Sequence, residues 1–355
     1  MLTYAWLAAI LLVQPWLDWP QLFTDTSHRL TLVCCMVGLG LHRMVSSIPI
    51  VRFPVSWGAW VVVFLVVVIV HAWHVVATGD YFRFFQETAL FSDGIITLLS
   101  LTWGLWALLQ VPASMFRRLR WLGMAFLYAN FIFAVAQMLR HEPVTGVLGM
   151  ERLLGAYAVA WLPICWVWHP ATALLPASLL LLSHKPLPLV VAAISLWPVV
   201  RGWRKASIVG VGVAAVWYAT TLPALGLRVT QRSDTWWHAL QASFAHTWIG
   251  WGSGPLTLNT IRSQYGYLLP SLHCDWLTLV VQSGWVVAFA TLVLWVRTVS
   301  DRPTSKWARA CQGSVLGIGV LSMVQATVSH ARIAGVMLIV LAWFMAEQRQ
   351  EPSHA

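Results

Sequence analysis

Apolar runs separated by short basic breaks make up most of this chain, and one long polar stretch, Pro223 to Cys274, stands apart from them. Val55 to Ala77, Leu90 to Val111 and Trp276 to Val296 each reach the roughly 20 residues that a helix needs to cross hydrocarbon. Helices are expected there because, without water, every backbone N–H and C=O must be satisfied inside the segment. The pattern predicts spans at Leu2 to Leu17, Arg29 to His42, Val55 to Ala77, Leu90 to Val111, Leu119 to Leu139 and Ala156 to Trp168. It continues with Ala171 to Ser183, Leu187 to Val200, Ala206 to Leu222, Asp275 to Arg297, Gly313 to Val328 and Ile333 to Ala346, about twelve helices in all. Pro163, Pro176, Pro186, Pro188 and Pro198 interrupt the middle of the chain. They predict kinks or span ends that face other protein, since a break facing lipid would strand carbonyls.

Composition agrees with the pattern. With 59% apolar and 10% charged residues and a mean hydropathy of +0.72, the 355 residues carry more apolar surface than a water-soluble core could hide. The expected fold is an all-α polytopic membrane protein with one long outer loop. Residues 1–222 form an N-terminal bundle, 223–274 the loop with an amphipathic helix, and 275–355 the C-terminal helices with a short tail. Many of the 24 Trp, among them Trp16, Trp57, Trp103 and Trp203, flank these runs, as an interfacial aromatic belt requires.

The net charge of +10 is dispersed in short clusters between apolar runs, which speaks for membrane topology and against a nucleic-acid surface. Arg43 and Arg52; Arg117, Arg118 and Arg120; Arg201, Arg204 and Lys205; and Arg297, Arg302, Lys306 and Arg309 all fall in alternate loops. The positive-inside rule makes those loops cytoplasmic, with both termini, and puts Pro223 to Cys274 outside. Arg152, His184, Lys185, His330 and Arg332 then stand at outer helix ends, where basic residues run against the usual bias and ask for an anionic ligand. Met1 to Leu12 has no basic leader, so no cleavable signal is expected. The five Cys show no CxxC spacing, and neither a disulfide nor a metal site is expected. His71 and His74 read as a satisfied polar pair within their span.

The polar stretch holds Arg228, Arg232, His238, His246, Arg262 and His273. Gln231 to Trp248 reads as an amphipathic helix lying on the outer surface, with Ser233 or Asp234 as its N-cap. Gly250-Trp251-Gly252-Ser253-Gly254-Pro255 is a flexible turn, more often a simple corner than a phosphate loop. Leu272-His273-Cys274-Asp275-Trp276-Leu277 marks the return to the membrane. A lone His at a helix start is more often a polar cap than a catalyst, but here an acidic residue follows two positions on.

Three segments resemble the O-antigen ligase and polymerase superfamily. Arg232 and Trp236 followed by Gly250-Trp251-Gly252-Ser253-Gly254 resemble its R-x-x-x-W and G-x-G-x-G loop entrance. His273 to Leu277, continuing to Gln282-Ser283-Gly284, is similar to its H-N-x-x-L-Q and E-x-G exit, and Leu182-Ser183-His184-Lys185 to its S-R-G element. His184 with Lys185 stands where the family has arginine, the Asn after the loop His is displaced, and Gln282 replaces the Glu.

The resemblance implies a GT-C-like bundle in a bacterial inner membrane with its active site facing the periplasm. There a glycan would pass, without metal or other cofactor and with inversion, from undecaprenyl diphosphate to an acceptor hydroxyl. The chemistry suits the residues. A lipid diphosphate leaving group calls for permanent, bidentate positive donors, and Arg232 is the first candidate, with Arg228, His184, Lys185, Arg152 and Arg332 completing the clamp and Trp236 beside the glycan. An acceptor hydroxyl calls for a base that titrates near neutrality, which points to His273, oriented by Asp275. The acceptor stays open: a lipid A core sugar, another repeat unit as in a polymerase, or a protein Ser/Thr; a single long loop tilts the reading toward a ligase. A lipid-linked glycan flippase would share the helix count, but half-sequence repeats and charges near span centres are not evident.

Overall fold

The computed structural model describes residues 2–13, 24–46, 55–78, 95–148, 151–183, 185–202, 205, 207–210, 212–214, 223–251, 272, 274–325 and 331–350. Among these residues the fold is all-helical, without a strand. Its main helices are α1 (Leu2–Ala8), α2 (Thr24–Val45), α3 (Val55–Thr78), α4 (Ile95–Leu108), α5 (Ala113–Leu139) and α6 (Glu151–Trp168). They are followed by α7 (Leu174–Leu182), α8 (Pro186–Leu196), α9 (Pro223–Ala245), α10 (Asp275–Ser300), α11 (Lys306–Val324) and α12 (Ala331–Gln350).

Two of these, α5 and α10, are long and apolar enough to cross a membrane. Both keep apolar side chains on their outer faces. On α5, Trp121, Tyr128, Ile132 and Leu139 are exposed along one line, and on α10, Val286, Phe289, Val293 and Val296 are. A soluble protein rarely leaves such patches to water, whereas acyl chains would cover them. The other apolar helices among the described residues are shorter, as at Arg152–Trp168 and Pro186–Leu196. The expected spans Ala171 to Ser183 and Leu187 to Val200 become α7 and α8, of 9 and 11 residues, less than the thickness of a hydrocarbon core at about 1.5 Å per residue.

Prolines set several of these limits. Pro186 opens α8, where its missing N–H costs nothing, and Pro198 lies in the turn that follows. Pro163 is inside α6 and cannot donate to the carbonyl four residues back. Beside this gap Ser314 of α11 donates its hydroxyl to Ala160 O at 2.5 Å, and Pro163 is buried, so this break in the ladder faces protein, as expected.

The core is built on α6, α11 and α12. Leu153 to Cys165 of α6 is buried almost without interruption, and so is Ile333 to Ala346 of α12, as for helices enclosed on all sides. Small residues bring α6 and α11 together: a Cβ on Gly317 would stand 2.6 Å from Val159 Cγ1. Consecutive helices run up and down from α1 to α8 and from α10 to α12, whereas α9 enters from Arg232 and follows α10 in the same direction. At one end Arg117 at the start of α5 meets Glu347 at the end of α12, Trp121 meets Trp168, and Trp60 meets Thr298. At the other end Ile10 and Leu32 lie against Gly335 at the start of α12, and α11 terminates at Val324. These are called the Glu347 end and the Val324 end.

Helix α9 departs from expectation. It starts at Pro223, so Ser233 and Asp234 are interior, exposed positions and not its N-cap. Nor does it lie across the surface. Its second half runs alongside the first turns of α10, with Ala239 and Ala242 buried against Leu272, Cys274, Leu277 and Val281.

Candidate functional site at the Val324 end

The end of a helix leaves carbonyls without intrahelical partners, and at the end of α11 two side chains supply donors. Arg232 of α9 gives an Nη1–H to Val324 O at 3.3 Å, and the Cys274 thiol donates to the adjacent Met323 O at 3.0 Å. A cation there also faces the negative pole of the α11 dipole. Trp276 Nε1–H reaches further back along α11, to Gly319 O at 3.1 Å. Burial, the larger cause, together with the Asp275 carboxylate raises the Cys274 thiol above its ordinary value, against hydrogen bonds from the Leu277 and Trp276 amides. The group therefore stays an S–H donor at neutral pH. It also caps α10, accepting from Leu277 N–H at 3.4 Å.

Arg232 and Trp236 are neighbours one turn apart on α9. The Trp236 indole N–H, a candidate glycan donor, is used on Leu272 O at 2.8 Å. The two described neighbours of position 273 are thus each held, Leu272 by α9 and Cys274 by α11. His273 itself lies outside the described residues, and so does His184; the side chains of Arg228 and Arg332 do too. The backbone of Arg228 is one turn before Arg232 on α9, and that of Arg332 is at the start of α12. Asp275 is the first residue of α10, where a carboxylate is favoured by the exposed N–H groups.

Two further candidate cations share this end. Val159 packs on Gly317, and Arg152 and Val324 each lie seven residues from that contact toward the same end, both about 10 Å away along their helices. Pro188 packs on Gly155, and three residues earlier in each segment stand Lys185, at the N-cap of α8, and Arg152. Arg152, Lys185 and Arg232, each half-buried, therefore gather around the end of α11. Among the described residues no three His, Cys, Asp or Glu side chains cluster as a metal site would require.

One feature of the site was not foreseen from the sequence. Helix α10 is broken at Gly284 (φ 83°, ψ 167°), and the turn after α9 contains Gly250 at φ 65°. In unbroken helices Trp285 N–H would donate to Val281 O and Trp251 N–H to Thr247 O. The two pairs have traded partners: Trp285 N–H donates to Thr247 O and Trp251 N–H to Val281 O, both at 2.8 Å. Neither carbonyl is stranded, which is the condition for irregular backbone inside an apolar segment. Side chains reinforce the crossing. Trp285 Nε1–H donates to Ser243 Oγ at 3.2 Å, Trp251 Nε1–H to Ala242 O at 2.8 Å, and Phe244 stacks on Trp285. Both glycines are required by space as well as by φ. A Cβ on Gly284 would come within 2.3 Å of Trp248 O, and one on Gly250 within 2.5 Å of the Gln282 carbonyl carbon. The glycine turn is thus a corner locked to α10; Gly252, Ser253 and Gly254 lie outside the described residues. The sequence signal was there, since each glycine belongs to one of the quoted motif segments, but nothing in it paired them.

Comparison with protein-family models and with curated proteins finds no match for this chain.

Proposed function

We propose that this chain is an inverting, metal-independent glycosyltransferase of the O-antigen ligase type in a bacterial inner membrane. In this reading it is a bundle of about twelve membrane helices, with the Val324 end and the Pro223 to Cys274 segment facing the periplasm. Its donor is a glycan on undecaprenyl diphosphate and its acceptor a hydroxyl of a glycolipid, glycan or protein. The observation that carries the reading is the convergence of the two motif halves. Arg232, from the loop entrance, and Cys274, next to His273 at the loop exit, end on adjacent carbonyls of α11, with Arg152 and Lys185 at the same end. Cations gathered on the side opposite the positive-inside clusters fit an anionic substrate that arrives in the outer leaflet.

The reaction assigned to this site is one displacement. The acceptor oxygen attacks the anomeric carbon from the face opposite the diphosphate and gives its proton to the His273 imidazole. The bond from that carbon to the diphosphate oxygen breaks, and the leaving diphosphate keeps the electron pair. Arg232, with Lys185, Arg152, Arg228 and Arg332, stabilises the charge that grows there. Asp275 holds the His273 ring, and the positive charge left on it is offset by that carboxylate.

The test is transfer by purified protein from a defined undecaprenyl diphosphate glycan to candidate acceptors in EDTA, for wild type, His273→Ala, Arg232→Ala and Arg232→Lys. Expected are a loss of turnover with His273→Ala, and weakened donor use with Arg232→Ala that lysine repairs in part. Chelator-sensitive transfer, or near-normal rates in both alanine variants, overturns the proposal.

A further inference from the structure

We propose that Arg120, at the Glu347 end, binds the phosphate of an anionic phospholipid headgroup. Two arginines on the first turns of α5 have different fates. Arg117 is closed by a bidentate pair with Glu347, at 2.7 and 2.6 Å, so its charge is spent inside the protein. Arg120, one turn on, has no hydrogen-bond or ion-pair partner among the described residues, and its Nε is buried. Its guanidinium lies instead against three tryptophans, with its carbon 4.9 Å from the Trp168 ring centre, 5.4 Å from that of Trp307 and 5.9 Å from that of Trp121. Rings hold the cation by their faces and fix its position, but they accept no hydrogen bond from its N–H groups in the plane.

A second cation shares one of these rings. Lys306 Nζ is 5.5 Å from the centre of Trp307, so two like charges are gathered on one indole. The buried acidic group at this end, Glu347, is taken by Arg117, Trp343 and Ser305. A phosphate placed between Arg120 and Lys306 offsets their repulsion and supplies the paired acceptor oxygens that a planar guanidinium matches.

The occupant is a lipid because of what adjoins the cation. Trp121, next in the chain, is 61% exposed and heads the line Trp121, Tyr128, Ile132 and Leu139 along α5, one of the two helices long enough to span. A headgroup phosphate at Arg120 lets an acyl chain lie along that line, which a free phosphate would leave bare. Basic sites between membrane helices at this level are suited to anionic headgroups.

The test is lipid retention by the full-length protein in detergent, read by native mass spectrometry, with phosphatidylglycerol, phosphatidylcholine or inorganic phosphate added. Wild type is expected to keep phosphatidylglycerol in preference to phosphatidylcholine. Arg120→Gln and Lys306→Gln should each reduce that retention about fivefold, the effect of one interfacial cation. Arg118→Gln, which removes an exposed charge from the same turn, should leave it unchanged. If Arg120→Gln does not accumulate, Lys306→Gln gives the same reading. Equal retention in wild type and both ring-bound variants overturns the proposal. An equal loss in Arg118→Gln also overturns it, because general surface charge would then suffice, and competition by inorganic phosphate at equal concentration overturns the assignment to lipid.

Discussion

The two ends of the bundle use the same residue types to opposite effect. At the Glu347 end a carboxylate that is 1% exposed is saturated by Arg117, Trp343 and Ser305, and Gln312 caps the end of α10 through Thr298, Val299 and Asp301 carbonyls. Arg349 adds a bond to Leu109 O. This end is tied by charge and amide groups into one block. At the Val324 end, Arg232 is held on a carbonyl of α11, Arg152 and Lys185 stand at the same end, and backbone hydrogen bonds cross between α10 and the turn after α9. One end invests its polar groups in cohesion. The other uses its polar groups to fix Leu272 and Cys274, through Trp236 and the carbonyl of Met323.

The contrast breaks most readily by separating activity from stability. His273→Ala is expected to lower turnover about 100-fold or more while the melting temperature stays within a few degrees of wild type; a large drop in stability with normal turnover per folded molecule reverses the assignment of the two ends. Glu347→Gln should do the opposite, costing about 3 kcal/mol by leaving Arg117 and two donors poorly matched, with transfer by the remaining folded protein preserved. Thermal unfolding and activity measured on one preparation decide between them.

The crossing of α9 and α10 sharpens the comparison. Gly284→Ala is expected to destabilise by about 3 kcal/mol or more, from positive φ and from contact with Trp248 backbone. Gly58→Ala in α3, where a Cβ meets nothing within 4 Å, should be neutral or stabilising by up to about 1 kcal/mol. Equal melting temperatures for these two variants would contradict the exchange of hydrogen bonds. The smallest effect is expected from Trp236→Phe. It removes the bond to Leu272 O at a cost of about 1 kcal/mol and loosens the corner, so KM for the donor should rise more than kcat falls.

Much of this fold was legible because it depends on local composition. Apolar runs at Val55 to Ala77 and Leu119 to Leu139 became α3, within one residue of the expected limits, and α5, which ends as expected at Leu139 but begins six residues earlier at Ala113, since a long apolar segment has few alternatives to a helix. The sorting of Arg117, Arg118 and Arg120 to one end and Arg152 and Lys185 to the other also followed from their places between those runs. Helix α9 was misread at its start because Ser233 and Asp234 look like caps, while Pro223, ten residues earlier, is the one that opens the helix. The candidate site was legible in part. Arg232 and the His273-Cys274-Asp275 segment were chosen from motifs and local chemistry, but the sequence held no sign that Cys274 would serve Met323 or that Trp236 would serve Leu272.

The amino-acid sequence alone determined that the described residues are helical and that Arg117, Arg118 and Arg120 go to one end and Arg152 and Lys185 to the other, because hydropathy and helix length act residue by residue along the backbone. Only the tertiary structure decided that α10 breaks at Gly284 and that Arg232 and Cys274 meet on α11. Both depend on a partner distant in the chain. A positive φ at Gly284 is tolerable only when Thr247 and Trp251 stand ready to take the hydrogen bonds it gives up, and no local pattern encodes the position of that partner.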